Sequence, residues 1–209
     1  MSAHDAVAAA EGHAHRDDAG SRMGMWLFLF TELILFGGLF IIYAVYRYLH
    51  YPEFQLAAKE LDTMVGTINT LILLTSSLTV ALSIVALREG RKGFSRALVA
   101  ITVLLALAFL VNKYFEWEHK FSLGIYPGSP TLTNQPSGVI LYFGLYFVMT
   151  GLHALHVIIG MGVLVYLFVA IGNGRVSPDN SVRLESGGLY WHLVDIIWIF
   201  LFPLFYLLH

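Results

Sequence analysis

The sequence predicts an all-α integral membrane protein, a bundle of five transmembrane helices. Hydrophobic residues make up 57% of the 209-residue chain and charged residues only 12%, against about 25% charged residues in ordinary globular proteins. The apolar residues are collected in five runs, each long enough to cross the bilayer core as a helix, which takes roughly 17–25 residues. A helix also satisfies its own backbone hydrogen bonds, which lipid cannot do.

The chain divides into a short tail and one membrane domain. Residues 1–22 are polar and rich in Ala and His, which predicts a disordered cytoplasmic tail, and residues 23–209 form a single five-helix domain. The predicted spans are Met23–Tyr48, Met64–Leu87, Leu98–Phe115, Val139–Ile171 and Leu189–Leu208.

Each span has its own character. The first contains a single acid, Glu32. The second is rich in Ser and Thr, small hydroxyl residues that let membrane helices approach closely. The third ends in a polar and aromatic stretch that includes Glu116, and a loop rich in Gly and Pro follows it. The fourth is the longest, and at about 1.5 Å per residue it must tilt or project from the membrane.

The distribution of Lys and Arg predicts the orientation. With five spans the two termini lie on opposite sides of the membrane. Eight Lys and Arg residues fall on the side of the N-terminus and four on the other. Because cytoplasmic loops carry the excess of positive charge, the N-terminus is predicted to be cytoplasmic and the C-terminus outside.

The composition excludes several kinds of function. The net charge is −2 and no basic stripe is interleaved with aromatic residues, so nucleic acid is not an expected partner. The chain contains no cysteine, which excludes disulfides, iron–sulfur clusters and thiolate metal sites within it.

Five ionisable residues lie within the predicted spans, and such residues are candidates for function because burying them in lipid is costly. Glu32 lies about 14 Å from the start of its helix. Two pairs are spaced three residues apart, so the members of each share a helix face, and the pair on the fifth span can interact. All five can occupy the predicted cytoplasmic half of the bundle: Glu32, His153, His156, His192 and Asp195. Glu116 and Trp198 are secondary candidate site residues.

Three interpretations of this polar cluster remain open from the residues alone. Histidines on facing helices are able to ligate haem or a metal. The cluster also suits a proton or ion pathway of an independent transporter, although no pair of broken helices or inverted repeat is visible. The third interpretation, which we prefer, is that the cluster binds lipid head groups and holds the helices in register within a larger complex.

Four sequence blocks resemble subunit III of the haem–copper oxidases, in its five-helix bacterial form. The blocks keep the order and spacing of that family across residues 24–208, and the last two are highly specific. They are Met25–Glu32, the stretch Asn69-Thr70-Leu71 with the Ser and Thr residues after it, Gly151–Gly160 with His153 and His156, and Tyr190–Trp198 with His192 and Asp195.

The resemblance implies a non-catalytic subunit of a proton-pumping terminal oxidase in a bacterial plasma membrane, transferring electrons from cytochrome c to oxygen. It implies no catalytic, cofactor or metal residue in this chain. Haem and copper are expected in partner subunits, with subunits I and II as protein partners and phospholipid bound between the helices. The family's buried carboxylate, which reacts with carbodiimides, corresponds to Glu32, and this resemblance makes Glu32 the acid expected to be most sensitive to mutation.

Two features depart from the cytochrome c oxidase pattern. The family often has Glu-Tyr-Phe-Glu after its third helix of this form, and here Lys113 stands in place of the first acid, before Glu116. Pro203 near the C-terminus resembles a branch associated with nitric oxide reductases, and a further branch belongs to quinol oxidases. Glu32 favours a cytochrome c oxidase, because an Asp often stands there in the quinol branch.

Overall fold

The computed structural model describes residues 18–208, so the predicted tail up to residue 17 lies outside the described residues. Five of the helices are long and apolar enough to cross a membrane. A one-turn 3-10 helix, Pro178–Asn180, precedes the last of them. The helices are α1 (Asp18–Leu49), α2 (Tyr51–Ala58), α3 (Thr63–Arg88), α4 (Lys92–Ser122), α5 (Pro130–Thr133), α6 (Ser137–Gly172) and α7 (Val182–Tyr206).

The five predicted spans are confirmed as α1, α3, α4, α6 and α7, but three of them are longer than hydropathy suggested. Helix α1 begins at Asp18, and α7 begins at Val182. Helix α4 runs from Lys92 to Ser122, because polar residues that end a hydrophobic run still favour helix outside the bilayer core. Its 31 residues reach about 46 Å, well beyond the roughly 30 Å core.

The short helix α2 was not predicted, because Pro52 interrupts its apolar residues and the segment is too short to span a membrane. The helix packs against α6, and its buried apolar side chains recur at helical spacing: Phe54, Ala57 and Ala58. Helix α2 therefore covers one end of the bundle, which we call the α2 end.

Four of the membrane helices form a closed ring, and the fifth lies outside it. Around the ring, α3 packs against α4, α4 against α6, α6 against α7, and α7 against α3. Helix α1 contacts only the outer faces of α6 and α7 among the spans of this ring, and it is the least buried of the five. This arrangement leaves a cleft between the N-terminal half of α1 and the ring.

Glycine allows the closest approaches within the ring. A Cβ atom on Gly160 of α6 would lie 2.9 Å from the indole of Trp191, and one on Gly66 of α3 would lie 2.7 Å from the ring of Tyr206. Because both aromatic rings belong to α7 and are fully buried, these glycines let α7 approach α6 and α3 at distances that a side chain would forbid.

The C-terminal turn of α7 is capped by hydroxyl groups from three other helices. The final carbonyls of a helix have no partner within it. Here the Leu204 carbonyl accepts a hydrogen bond from Tyr43 of α1, the Phe205 carbonyl accepts one from Tyr142 of α6 at 2.7 Å, and the Tyr206 carbonyl accepts one from Thr63 of α3 at 3.1 Å. These bonds hold the end of α7 against all three helices.

Candidate functional site

Glu32 and His156 form a buried pair between α1 and α6. Nε2 of His156 lies 2.9 Å from Oε2 of Glu32, and the side chains of the two residues are only 9% and 14% exposed. The ring of Phe36 packs edge-on against the imidazole. This contact is a buried polar link between the outer helix and the ring, and it joins two of the residues that the sequence singled out.

The hydrogen bonds of His156 define how many protons the pair holds. Its Nδ1 lies 2.8 Å from the Leu152 carbonyl, which can only accept, so Nδ1 carries a proton. In a neutral imidazole Nε2 is then an acceptor, and the 2.9 Å contact requires Glu32 to donate. The alternative is a charged imidazole beside a carboxylate. In both states one proton lies between Nε2 and Oε2.

His153 lies inside the ring of helices and faces aromatic side chains. It is fully buried, and neither ring nitrogen has a hydrogen-bond partner among the described residues. Phe109 of α4 packs edge-on at 5.6 Å and Trp198 of α7 lies tilted at 5.2 Å between ring centroids. Trp198 is in turn fixed by a 3.0 Å bond from its indole nitrogen to Thr70.

The pairing of His192 with Asp195 that their spacing allows is not formed. Nδ1 of His192 instead lies 2.6 Å from the hydroxyl of Ser77 on α3. The two carboxyl oxygens of Asp195 are buried and have no hydrogen-bond partner among the described residues. Spacing along one helix brings two side chains onto one face, but a hydroxyl on the adjacent helix is a better placed partner.

A second polar cluster, which the sequence analysis missed, joins α4 to α6 and α7. Lys113 is 4% exposed, and its Nζ donates to Glu116 at 3.1 Å, to the Tyr146 hydroxyl at 3.1 Å and to the Tyr206 hydroxyl at 2.8 Å. Both tyrosines donate to the same carboxyl oxygen, Oε1 of Glu116. Of this cluster, only Glu116 and the neighbouring Trp198 were among the predicted site residues.

The hydrogen bonds of this cluster, which we call the Lys113 cluster, are complementary. An ammonium group has three N–H donors, and all three of Lys113 are used. The ammonium also lies 5.4 Å from the centroid of the Trp198 ring, on whose face a cation is attracted. Oε1 of Glu116 accepts three hydrogen bonds, the arrangement expected of an ionised carboxylate. The cluster is therefore a neutral, buried ion pair.

The cleft between α1 and the ring is a cavity of about 880 Å³. Its walls are apolar, and polar groups lie toward one end of it, opposite the α2 end. The side chains that line it include Ser21, Met25, Phe28, Ile159, Val163, Tyr166, Leu167, Arg183, Ser186 and Tyr190.

The cleft and the Glu32–His156 pair adjoin each other. Phe28, which lines the cleft, lies one helical turn before Glu32. Its ring packs against that of Tyr190, with the ring centroids 5.8 Å apart. The Tyr190 hydroxyl donates to the His156 carbonyl at 3.2 Å. Close to the other end of the cleft, Glu185 pairs with Arg88 at 2.9 Å and with Arg22 at 3.4 Å.

The three histidines within the spans therefore point to three different environments: His156 to Glu32, His153 to aromatic rings and His192 to Ser77. Within residues 18–208, no group of three or more His, Asp or Glu side chains is arranged to hold a metal ion.

Comparison with known proteins identifies relatives over nearly the whole chain. The sequence profile of the family described as cytochrome c oxidase subunit III matches residues 4–209. A cytochrome c oxidase subunit 3 of Thermostichus vulcanus is 32% identical over 97% of this chain and 94% of its own length. A cytochrome bo(3) ubiquinol oxidase subunit 3 of Pseudomonas aeruginosa is 30% identical over 98% of this chain and 93% of its own length.

A third relative is a much longer protein. The haem–copper oxidase subunit I+III of Aeropyrum pernix is 32% identical over 89% of this chain, but the chain spans only 22% of that relative's length.

Removing the charge of Lys113 should cause a large loss of folding stability that depends on Glu116. We expect Lys113→Met to destabilise the fold by about 3–5 kcal/mol, because it leaves the Glu116 carboxylate buried without a counter-charge. The double variant Lys113→Met with Glu116→Gln should recover most of that loss. Thermal unfolding in detergent measures both. Arg91→Met, which breaks the exposed pair with Glu89, is the control and should cost at most about 1 kcal/mol. A double variant no more stable than Lys113→Met would contradict the pairing.

Proposed function

The chain belongs to the cytochrome c oxidase subunit III family, and we propose that it is a non-catalytic subunit of a proton-pumping oxidase that takes electrons from cytochrome c. It is a multi-pass membrane protein and a subunit III of a terminal oxidase. The match over residues 4–209 carries the proposal. The membrane is a bacterial plasma membrane, with the N-terminus cytoplasmic because Lys and Arg concentrate on that side.

Subunit I is the partner within this complex. The Aeropyrum relative has the name subunit I+III, which supports direct contact between the two parts. The oxygen chemistry, with its haem and copper, belongs to subunit I, and subunit II completes the electron path from cytochrome c. The role of this chain is then to bind lipid and to sustain proton uptake by subunit I.

The electron donor separates two candidate functions. The relatives include a cytochrome c oxidase subunit at 32% identity and a ubiquinol oxidase subunit at 30%, so quinol is the second candidate. Glu32 supports cytochrome c, since the family resemblance associates a Glu at this position with that branch.

Purification through a tag on this chain tests the proposed function. We expect one haem-bearing subunit I to co-purify per chain from solubilised membranes, and the complex to consume oxygen with reduced cytochrome c as donor. Oxygen uptake with quinol alone would favour the second candidate. A chain that purifies without any haem protein, from membranes that contain terminal oxidase activity, would contradict the oxidase assignment.

The cleft suits a phospholipid. Its long apolar walls fit acyl chains, and Arg183 with Ser21 and Ser186 offers donors for a phosphate group at the end that leads to the membrane surface. Charge-assisted hydrogen bonds from arginine to phosphate are among the strong polar contacts. Apolar walls with a few placed polar groups are also the usual character of a ligand pocket.

Arg183→Gln tests the lipid site. We expect this variant to lose at least one tightly bound phospholipid per complex, because it removes the cation at the mouth of the cleft. Native mass spectrometry of the purified complex counts the lipids. Arg175→Gln is the matched control, an exposed arginine near the same end of the bundle that does not line the cleft. Equal lipid counts in the two variants would exclude this role for Arg183.

Glu32 acts indirectly, through the single proton that it shares with His156 and through its position beside the cleft. Glu32 is not a catalytic base in this proposal, because the oxygen chemistry belongs to another subunit. The shared proton and the adjoining lipid instead keep α1 in place and sustain the supply of protons to subunit I.

Glu32→Gln should leave the initial oxidase rate within about twofold, a barrier change under about 0.4 kcal/mol. The glutamine amide donates to Nε2 of His156 as a protonated Glu32 does, so the fold is kept. We expect the loss to develop over many turnovers, measured as a decline in oxygen uptake, while Glu89→Gln at an exposed acid behaves as wild type. A normally assembled complex whose first turnovers are slowed by orders of magnitude would refute the indirect role.

A further inference from the structure

A second cavity, of about 490 Å³, opens between the start of α3 and the end of α4, at the α2 end of the bundle. We call it the vestibule. It lies on the other side of the molecule from the lipid cleft, and no residue lines both. Six of the nine residues that line it are polar or charged, a larger share than in the cleft: Glu60, Asp62, Asn112, Glu116, His119 and Lys120.

Glu116 lines the vestibule, and one oxygen of its carboxylate is unsatisfied. The side chain of Glu116 is 8% exposed, and its Oε2 is buried without a hydrogen-bond partner among the described residues. The other oxygen, Oε1, is already occupied by Lys113, Tyr146 and Tyr206. A carboxylate oxygen left unpaired is costly, so Oε2 requires a donor, and the vestibule is where one is able to enter.

The charges around Glu116 determine which kind of hydrogen-bond donor fits beside Oε2. A second cation at Oε2 would lie close to the Lys113 ammonium, which is 3.1 Å from Oε1 of the same carboxylate, and the two positive charges would repel. The neighbouring Lys120 is directed away, because its Nζ donates to the Glu60 carbonyl. A neutral donor small enough for this wall is water, which needs a polar site with room for at least one molecule and two or more partners.

We propose that the vestibule is a water-binding site, and that its innermost water donates a hydrogen bond to Oε2 of Glu116. This water completes the Lys113 cluster and connects a buried ion pair to the solvent at the α2 end. The ion pair then has a path for proton exchange that is separate from the Glu32–His156 pair beside the cleft. The inference stands on the vestibule alone and does not depend on the electron donor or on the lipid.

The reactivity of introduced cysteines tests whether the vestibule contains water, and the chain has no cysteine of its own that would interfere. Ile68 lines the vestibule. Thr67, one residue nearer the α2 end, is exposed on α3 but does not line it. The single variants Ile68→Cys and Thr67→Cys are treated, within the assembled complex, with a charged methanethiosulfonate reagent that does not cross membranes. Intact mass of this chain gives the rate of modification.

We expect Ile68→Cys to react at least about tenfold faster than Thr67→Cys, because a thiol forms its reactive thiolate in contact with water and not in lipid. If only depth in the membrane set the rate of modification, Thr67→Cys would react faster, since Thr67 is the shallower position. Equal rates, or a faster Thr67→Cys, would overturn the proposal.

Infrared difference spectra provide a measurement that does not depend on a bulky reagent. The carboxylate band of Glu116, identified by its loss in Glu116→Gln, should shift within seconds of transfer to D₂O, because exchangeable water reaches Oε2. A band that stays unchanged for hours in D₂O would show a dry carboxylate and would also overturn the proposal.

Discussion

The arrangement of this bundle depends on how the last backbone carbonyls of α7 find hydrogen-bond donors in a medium that offers none. The last carbonyls of a helix lack partners within it, and lipid supplies none. Tyr43, Thr63 and Tyr142 donate to three successive carbonyls of α7. Because these donors come from α1, α3 and α6, the one terminal turn fixes the longitudinal position of these three helices relative to α7. A shift of one helix by a turn would leave a carbonyl unpaired, so the positions of these helices are coupled.

The two buried polar pairs differ in how they are held, and this difference follows from the ring. The Lys113 cluster joins three ring helices, and every donor of the lysine is used. The Glu32–His156 pair instead joins the outer helix α1 to the ring, beside an open cleft. Helix α1 has fewer contacts with the ring, so the pair matters more for its position, together with the hydrogen bond of Tyr43 to the end of α7.

Hydropathy was sufficient to predict the five spans and the exceptional length of α6, because each helix that crosses lipid must contain a long run of apolar residues. It was not sufficient for helix ends, since α4 continues through the charged residues beyond Phe115. Glu32 and His156 were identified one by one as buried ionisable residues, but their pairing joins positions 124 residues apart, and no local pattern reveals it. Lys113 was noted only as a departure from a family pattern. Tyr146 and Tyr206 were missed because tyrosines near the ends of spans usually anchor at the membrane surface.

The lysine at position 113 has a physical explanation in its own surroundings. Two acids three residues apart on a helix lie on one face, and in a buried site two like charges cannot both be ionised without a large cost. A Glu-Tyr-Phe-Glu sequence placed here would therefore need one acid to be protonated. With Lys113 the same positions hold a neutral pair, and the hydroxyls of Tyr146 and Tyr206 bridge it by accepting from the ammonium and donating to the carboxylate. A hydroxyl group can accept a hydrogen bond from the lysine and donate one to the glutamate. The exchange of an acid for a lysine at position 113 is therefore accommodated within the cluster, without rearrangement of the ring. The departure at position 113 thus reflects a local balance of charge and is not by itself a mark of the nitric oxide reductase branch.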